Sequence, residues 1–140
     1  MRPLLLDINV LIALTWPSHV HHRLAQEWFA RRRSAGFRTC PLTQLGFVRI
    51  SCNRNAIADA VSPRGAMALL QAITALPEHS FWPDDVALGS LDAGAWIGHR
   101  QVADAYLVAL ARKHRGAVAT LDRGLTRLEG GQRELIELLG

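Results

Sequence analysis

Short apolar runs and stretches with helical spacing alternate along the chain. The first run, 4–6, has the length and composition of a buried strand, and residues 10–14 continue as a short helix that Pro17 stops. Ser18 is placed to cap a third element, an amphipathic outer helix that ends in the basic run 31–33. The apolar positions of this helix are Val20, Leu24, Trp28 and Phe29.

The alternation continues to the last third of the chain. The further predicted elements are a strand at 37–40, a helix from Pro41 to about residue 50, a helix at 64–76, a strand at 79–82, a helix at 102–111 and a strand at 117–121. Because nearly continuous apolar strands alternate with helices, we expect an α/β fold, an α/β/α sandwich around a central, mostly parallel sheet. Ligands bind such sheets outside the carboxyl ends of the strands.

Length and composition narrow the class of protein. The chain has 140 residues, of which 49% are hydrophobic and 20% are charged, so we expect one globular domain over 1–140 and no disorder. The uncharged stretch at 8–18 is shorter than the ~20 apolar residues of a membrane span. Asp7 interrupts the apolar segment at the N-terminus, and the apolar region of a signal peptide carries no such charge. These features predict a cytoplasmic protein without a membrane segment. Cys40 and Cys52 lack the spacing of a metal or redox site.

The charge is positive and almost entirely arginine. The net charge is +4, and Lys113 is the single lysine among 16 cationic residues. Arginine presents a planar fork that matches phosphate, which favours a polyanionic partner such as a nucleic acid. A GC-rich coding sequence, which favours arginine and alanine codons, explains the same composition, so charge alone leaves both interpretations open.

Three aspartates stand in places where a solvated carboxylate is not expected. Asp7 and Asp122 each follow an apolar strand directly, and Asp104 lies in the apolar run 102–111. Carboxylates gathered at the ligand-binding edge of one sheet repel one another unless a cation lies among them. The three residues therefore predict a site for a hard divalent cation.

Each aspartate also has a local structural explanation. Asp104 is placed to cap a helix, and Asp7 and Asp122 are placed to start turns, so the functional interpretation depends on the coincidence of all three. Oxygen ligands suit Mg²⁺ better than zinc. A zinc site would have to draw on histidines that are either bunched on the outer helix or scattered, namely His19, His21, His22, His79, His99 and His114.

With these residues in place, the sequence resembles the PIN-domain proteins, specifically the ribonuclease toxins of VapBC toxin–antitoxin pairs. The resemblance covers nearly the whole chain, and no segment is specific alone: order, spacing and length carry it together. The matching segments are Leu-Leu-Asp-Ile-Asn-Val-Leu at 5–11, Pro-Leu-Thr-Gln-Leu-Gly-Phe-Val-Arg at 41–49, Val-Ala-Asp-Ala-Tyr-Leu at 102–107 and Ala-Thr-Leu-Asp at 119–122.

The resemblance implies a PIN-like fold and a set of site residues. Asp7, Asp104 and Asp122 correspond to metal-binding aspartates, and with Gln44 they make up the implied catalytic set. Gln44 is a departure, because the family usually has glutamate there; it keeps the shape but lacks the charge. Whether Gln44 is natural or was introduced to silence the enzyme stays open. The residues implied for orienting ligands or binding the RNA backbone are Asn9, Thr43, Arg49, Arg100 and Arg123.

The activity that the resemblance implies is Mg²⁺- or Mn²⁺-dependent hydrolysis of RNA by a type II toxin, an endoribonuclease. The implied partners are the RNA substrate, a VapB-like antitoxin and a second copy of the chain in a homodimer. One alternative is a catalytically inactive PIN domain that binds RNA or a protein, which Gln44 favours. Another is a metal-dependent phosphatase or a DNA flap nuclease, since an acidic cluster does not by itself choose the phosphate substrate.

Overall fold

The centre of the molecule is a five-stranded sheet in which every strand pairs in parallel with its neighbours. The computed structural model describes residues 2–94, 96, 98–128 and 133–140. The strands are β1 (Leu4–Leu6), β2 (Phe37–Thr39), β3 (His79–Phe81), β4 (Ala117–Thr120) and β5 (Ile136–Leu138). Their order across the sheet is β3-β2-β1-β4-β5.

Helices connect the strands and cover both faces of the sheet. In the described part of the chain they are α1 (Ile8–Thr15), α2 (His22–Arg32), α3 (Pro41–Ser51), α4 (Pro63–Thr74), α5 (Arg100–Lys113) and α6 (Arg123–Leu128). Short 3-10 turns lie at Arg33–Ala35, Leu88–Ser90 and Arg133–Leu135. This arrangement confirms the predicted α/β/α sandwich, with a sheet that is entirely parallel.

Strand β1 is fully buried because both of its faces are covered. Leu4 and Leu6 point to one face and contribute to a core with α1, α2, α3 and α4, whereas Leu5 points to the other face and joins a core with α5 and α6. The continuous apolar run at 4–6 is the sequence signature of such a two-sided strand.

The chain changes direction across the sheet at β1. It adds β2 and β3 on one side of β1, and later places β4 and β5 on the other side. Leu6 pairs with Ala119, so β1 and β4 end at nearly the same level. Crevices outside the carboxyl ends of strands at such a switch point are the usual ligand sites of open parallel sheets.

Two predictions from the sequence need correction. The outer helix α2 begins at His22 rather than after Ser18, because backbone bonds from His19 to Trp16 and from His22 to His19 form turns there. Val20, predicted to lie on the buried face of that helix, precedes it and is 86% exposed. The sequence interpretation also missed α6 and β5.

No helix in the described ranges has the length and apolar character needed to cross a membrane.

Candidate active site

Asp7 lies where β1 ends and α1 begins. It is the N-cap of α1: its Oδ1 accepts a 2.7 Å hydrogen bond from the backbone N–H of Ile8, and its Oδ2 accepts one of 2.8 Å from the Thr120 hydroxyl. The side chain is buried, and burial raises the pKa of Asp7 although these two hydrogen bonds lower it. The negative charge of Asp122 raises this pKa further. Asp7 is thus a helix cap rather than the turn former that its local explanation proposed, and its buried charge is also opposed by that of Asp122.

Asp104 lies in the second turn of α5 and is half-buried. Its position is too far into the helix to cap it, so the capping explanation from the sequence is wrong. Burial and the charges of Asp7 and Asp122 raise the pKa of Asp104 to about 6. The carboxylate of Asp104 therefore interacts electrostatically with the other two.

Asp122 follows β4 and precedes α6. Its Oδ1 accepts a 2.8 Å hydrogen bond from the N–H of Gly124, and its own N–H donates to Thr120 Oγ1 at 3.0 Å. The predicted turn is therefore present, with an exposed carboxylate that still reaches the other two aspartates electrostatically. The turn and the site role are compatible at this residue.

The three aspartates line one open pocket of about 450 Å³. It lies at the carboxyl ends of β1 and β4, the position that the sheet topology favours. The polar residues that line it are Asp7, Asn9, His19, Asp104 and Asp122. The apolar ones are Ile8, Ile12, Ile50, Ala56 and Ile57.

The donor set of this pocket suits a hard divalent cation. Three carboxylates supply oxygen ligands, and the pKa values of Asp7 and Asp104 are raised first by burial and then by the neighbouring aspartates, whose charge a cation would neutralise. Among the residues described, however, no three His, Cys, Asp or Glu side chains are already arranged to hold a metal ion. The aspartates therefore fit a cation in chemistry and location but have to draw closer to coordinate it.

Gln44 lies on α3 and does not line this pocket. Its Nε2 donates a 3.0 Å hydrogen bond to Thr39 Oγ1, which is in turn 2.7 Å from Nε2 of His79. The expectation that residue 44 occupies a corner of the acidic site is not met by this side-chain position. A glutamine fits the observed bond because its amide is a donor, which a glutamate lacks.

Of the two polar residues expected to orient ligands at the site, one lines the pocket and the other does not. Asn9 lines the pocket, and its Oδ1 accepts a 3.3 Å hydrogen bond from the N–H of Leu121. Thr43 is instead buried at the start of α3, where its hydroxyl bonds the backbone of Cys40. Its contacts are structural.

Two of the three expected arginines have described side chains, and neither lies in the pocket. Arg49 and Arg123 are exposed, and neither lines it. Arg100 is the first residue of α5, and its side chain lies outside the described part of the structure.

His19 lines the pocket, and the sequence interpretation missed it by assigning it to the outer helix. Its Nδ1 accepts a 3.0 Å hydrogen bond from the backbone N–H of His21. Burial lowers the pKa of His19, and the nearby His21 and His22 lower it further.

Comparison with known proteins gives one consistent result. The family model described as "PIN domain" matches residues 4–131. Ribonuclease VapC39 of Mycobacterium tuberculosis is 47% identical over 138 residues, which cover 96% of this chain and 98% of the relative. From the same organism, ribonuclease VapC38 is 43% identical over 89% of this chain and 88% of its own length, and ribonuclease VapC29 is 42% identical over 94% and 95%.

Proposed function

This chain belongs to the PIN-domain family, and we propose that it is the toxin of a type II toxin–antitoxin pair, a Mg²⁺- or Mn²⁺-dependent endoribonuclease. The observation that carries the proposal is the shared pocket of Asp7, Asp104 and Asp122 at the topological switch point. The names of the relatives point to the same activity, since each is called a ribonuclease. Without a cation, the repulsion between the three carboxylates in this pocket would destabilise the protein.

The three aspartates would hold the metal. When bound, a divalent cation supplies a water of lowered pKa and stabilises negative charge on the phosphate oxygens. Asp7 is fixed in orientation by Thr120 and by the start of α1, so it offers a preformed ligand. Asp104, with a pKa of about 6, is a carboxylate whose charged form a neighbouring positive charge would stabilise.

Asn9 is the polar neighbour best placed to support this chemistry. Its Oδ1 is engaged by the Leu121 N–H, which leaves the amide Nδ2 as the donor that can orient a carboxylate or a phosphate oxygen in the pocket. Backbone phosphates of the RNA would be bound by arginines around the site, with Arg49, Arg100 and Arg123 as candidates.

Gln44 weakens the enzyme in this proposal. A glutamate at residue 44 would add a negative charge on α3, whereas the amide of Gln44 is neutral and is held by Thr39. The isosteric change leaves the helix α3 and its cap unaffected, so the expected loss is in metal affinity and rate rather than in folding.

The partners follow from the same assignment. We propose an RNA substrate, a VapB-like antitoxin that covers the acidic pocket, a homodimer, and action in the cytoplasm. The described surface offers apolar side chains for such contacts, including Leu45, Met67 and Phe81, which are 61%, 44% and 50% exposed.

The test is calorimetric titration of Mn²⁺ or Mg²⁺ into the wild type, Asp104→Asn and Gln44→Glu, followed by assays of each on total cellular RNA. The proposal expects metal binding that is lost in Asp104→Asn, and cleavage that appears or rises in Gln44→Glu. Absence of metal binding and of cleavage in all three proteins would refute it.

A second candidate function is an inactive PIN domain that binds RNA or a protein. The observation that favours it is the bond of Gln44 to Thr39, which commits the side chain to a structural contact. This candidate expects an RNA affinity that divalent metal does not change and no cleavage by Gln44→Glu. The cleavage assay of Gln44→Glu therefore separates the two functions.

A further inference from the structure

The pocket continues beyond the aspartates along one side of α1. Asp7, Ile8 and Asn9 begin this side and Ile12 follows about one turn later, a rise of about 7 Å from Asp7. His19, which comes after the end of α1, lines the pocket as well. Because α1 has eight residues and is about 12 Å long, His19 follows the end of the helix opposite to Asp7.

This second part of the pocket is apolar apart from one ring. Ile12 and Ile57 are almost fully buried and support the aliphatic wall from behind, and the half-buried Ile50 presents most of its accessible surface. None of the described residues that line the pocket is lysine or arginine. An anionic phosphate has little to bind here.

The hydrogen bond at His19 fixes what its ring offers to a ligand. Because Nδ1 accepts from the His21 N–H, the proton of the neutral ring is on Nε2. Within the described part of the chain, Nε2 has no hydrogen-bond partner. The ring therefore presents one neutral N–H donor beside an aliphatic wall.

We propose that His19, Ile12, Ile50 and Ile57 form a subsite for one nucleobase of the RNA strand next to the scissile phosphate. A base has apolar faces that pack on an aliphatic wall and acceptor atoms on its edge, which match a single N–H donor. This inference rests on the proposed ribonuclease function and adds a contact that selects or positions substrate.

Two substitutions of His19 test its Nε2 donor and its turn-forming Nδ1 acceptor one at a time. His19→Asn retains an acceptor where Nδ1 bonds the His21 N–H but removes the distal donor, and His19→Gln retains a distal donor but loses the acceptor of the turn. His21→Ala is the matched control, since it removes an exposed neighbouring ring that does not line the pocket. Thermal melting of all variants checks that the fold is retained.

The probes are labelled single-stranded RNA homopolymers of A, C or U of about eight residues, and an abasic ribose-phosphate oligomer of equal length. Their Kd values are measured by fluorescence anisotropy in EDTA, which keeps the readout independent of cleavage. Loss of one hydrogen bond predicts that His19→Asn weakens at least one homopolymer about three- to tenfold and leaves the abasic oligomer unchanged. His19→Gln is expected to stay within about twofold of wild type.

The outcomes distinguish this inference from the function on which it rests. If wild type binds and cleaves RNA but His19→Asn does not alter any Kd, the base subsite is wrong and the ribonuclease stands. Equal weakening of the abasic oligomer and the homopolymers would also overturn it, since His19 would then contact the backbone. If wild type neither binds any oligomer nor cleaves RNA, the proposed function and the subsite both fail.

Discussion

The hydroxyl of Thr120 donates a 2.8 Å hydrogen bond to Oδ2 of Asp7, joining the end of β4 to the end of β1. Both residues are buried, and they are 113 positions apart in the sequence. The same hydroxyl oxygen accepts the N–H of Asp122 at 3.0 Å. One threonine thus orients two of the three aspartates of the candidate site.

Thr120→Val is expected to reduce both stability and metal affinity. Valine keeps the shape, but the buried carboxylate loses a donor that lowers the pKa of Asp7. We expect the free energy of unfolding to fall by about 1–3 kcal/mol and the affinity for Mn²⁺ to fall about tenfold or more. Chemical denaturation and calorimetry measure the two effects.

Thr74→Val is the matched control for this change. Its hydroxyl bonds only the local carbonyl of Gln71 at the exposed end of α4, so the same substitution should cost little. Equal losses in both variants would show that Thr120 has no special role at the site.

Asp104→Asn is expected to stabilise the metal-free protein. The pKa of Asp104 is about 6 in the folded state against an ordinary 3.8, so the folded protein binds the proton more tightly than the unfolded chain. Stability therefore falls as the pH rises from about 4 to 6, and the full cost is present above that range. Since the group is half-exposed, we expect a gain of about 1–2 kcal/mol at neutral pH.

The measurement is the unfolding free energy in EDTA as a function of pH. Wild type and Asp104→Asn should converge below pH ~3.8 and diverge as the pH rises. Asp59→Asn, a change at an exposed aspartate outside the pocket, is the control. A destabilised Asp104→Asn at neutral pH without metal would contradict the electrostatic argument.

Gln44→Glu is expected to raise Mn²⁺ affinity and RNA cleavage. The new carboxylate can only accept a hydrogen bond from the Thr39 hydroxyl, to which Gln44 now donates, and its negative charge favours a divalent cation. Gln71→Glu makes the same change of charge on the exposed surface of α4 and should have no effect. Isothermal calorimetry and a cleavage assay test both, and equal responses of the two variants would mean that only net charge matters.

The main parts of the site follow from simple sequence rules. Asp7 and Asp122 were predictable because a carboxylate directly after a buried strand falls at the ligand edge of a parallel sheet, and Asp104 because it interrupts an apolar helix. Local patterns of this kind depend only on the residues nearby. The fold class was predictable for the same reason.

The missed features depend on contacts between distant residues. The direction of the Gln44 side chain is decided by Thr39 and His79, and no spacing rule encodes that choice. His19 reaches the pocket only because residues 17–21 form turns instead of the first turn of α2. Strand β5 has three residues and too little apolar pattern to be recognised alone.

Strand β5 is held at the edge of the sheet by Glu137. Its carboxylate accepts bonds of 2.8 and 2.9 Å from Nε and Nη2 of Arg32, and one of 2.7 Å from Nε1 of Trp28. Arg32 and Glu137 are each about 30% exposed, so solvent screens this pair only in part. The contact ties the C-terminal strand to α2.

Glu137→Gln is therefore expected to lower the free energy of unfolding by about 1–2 kcal/mol, because it removes the charge that strengthens three hydrogen bonds. Glu27→Gln is the matched control: Glu27 pairs with Arg23 within α2, but these side chains are 57% and 92% exposed, which predicts a loss below about 0.5 kcal/mol. Urea denaturation measures both variants. Because β5 is adjacent to β4, the strand that precedes Asp122, metal titration is run alongside, and unchanged Mn²⁺ affinity is expected. Equal destabilisation by the two substitutions would show that the Glu137 contact does not anchor β5.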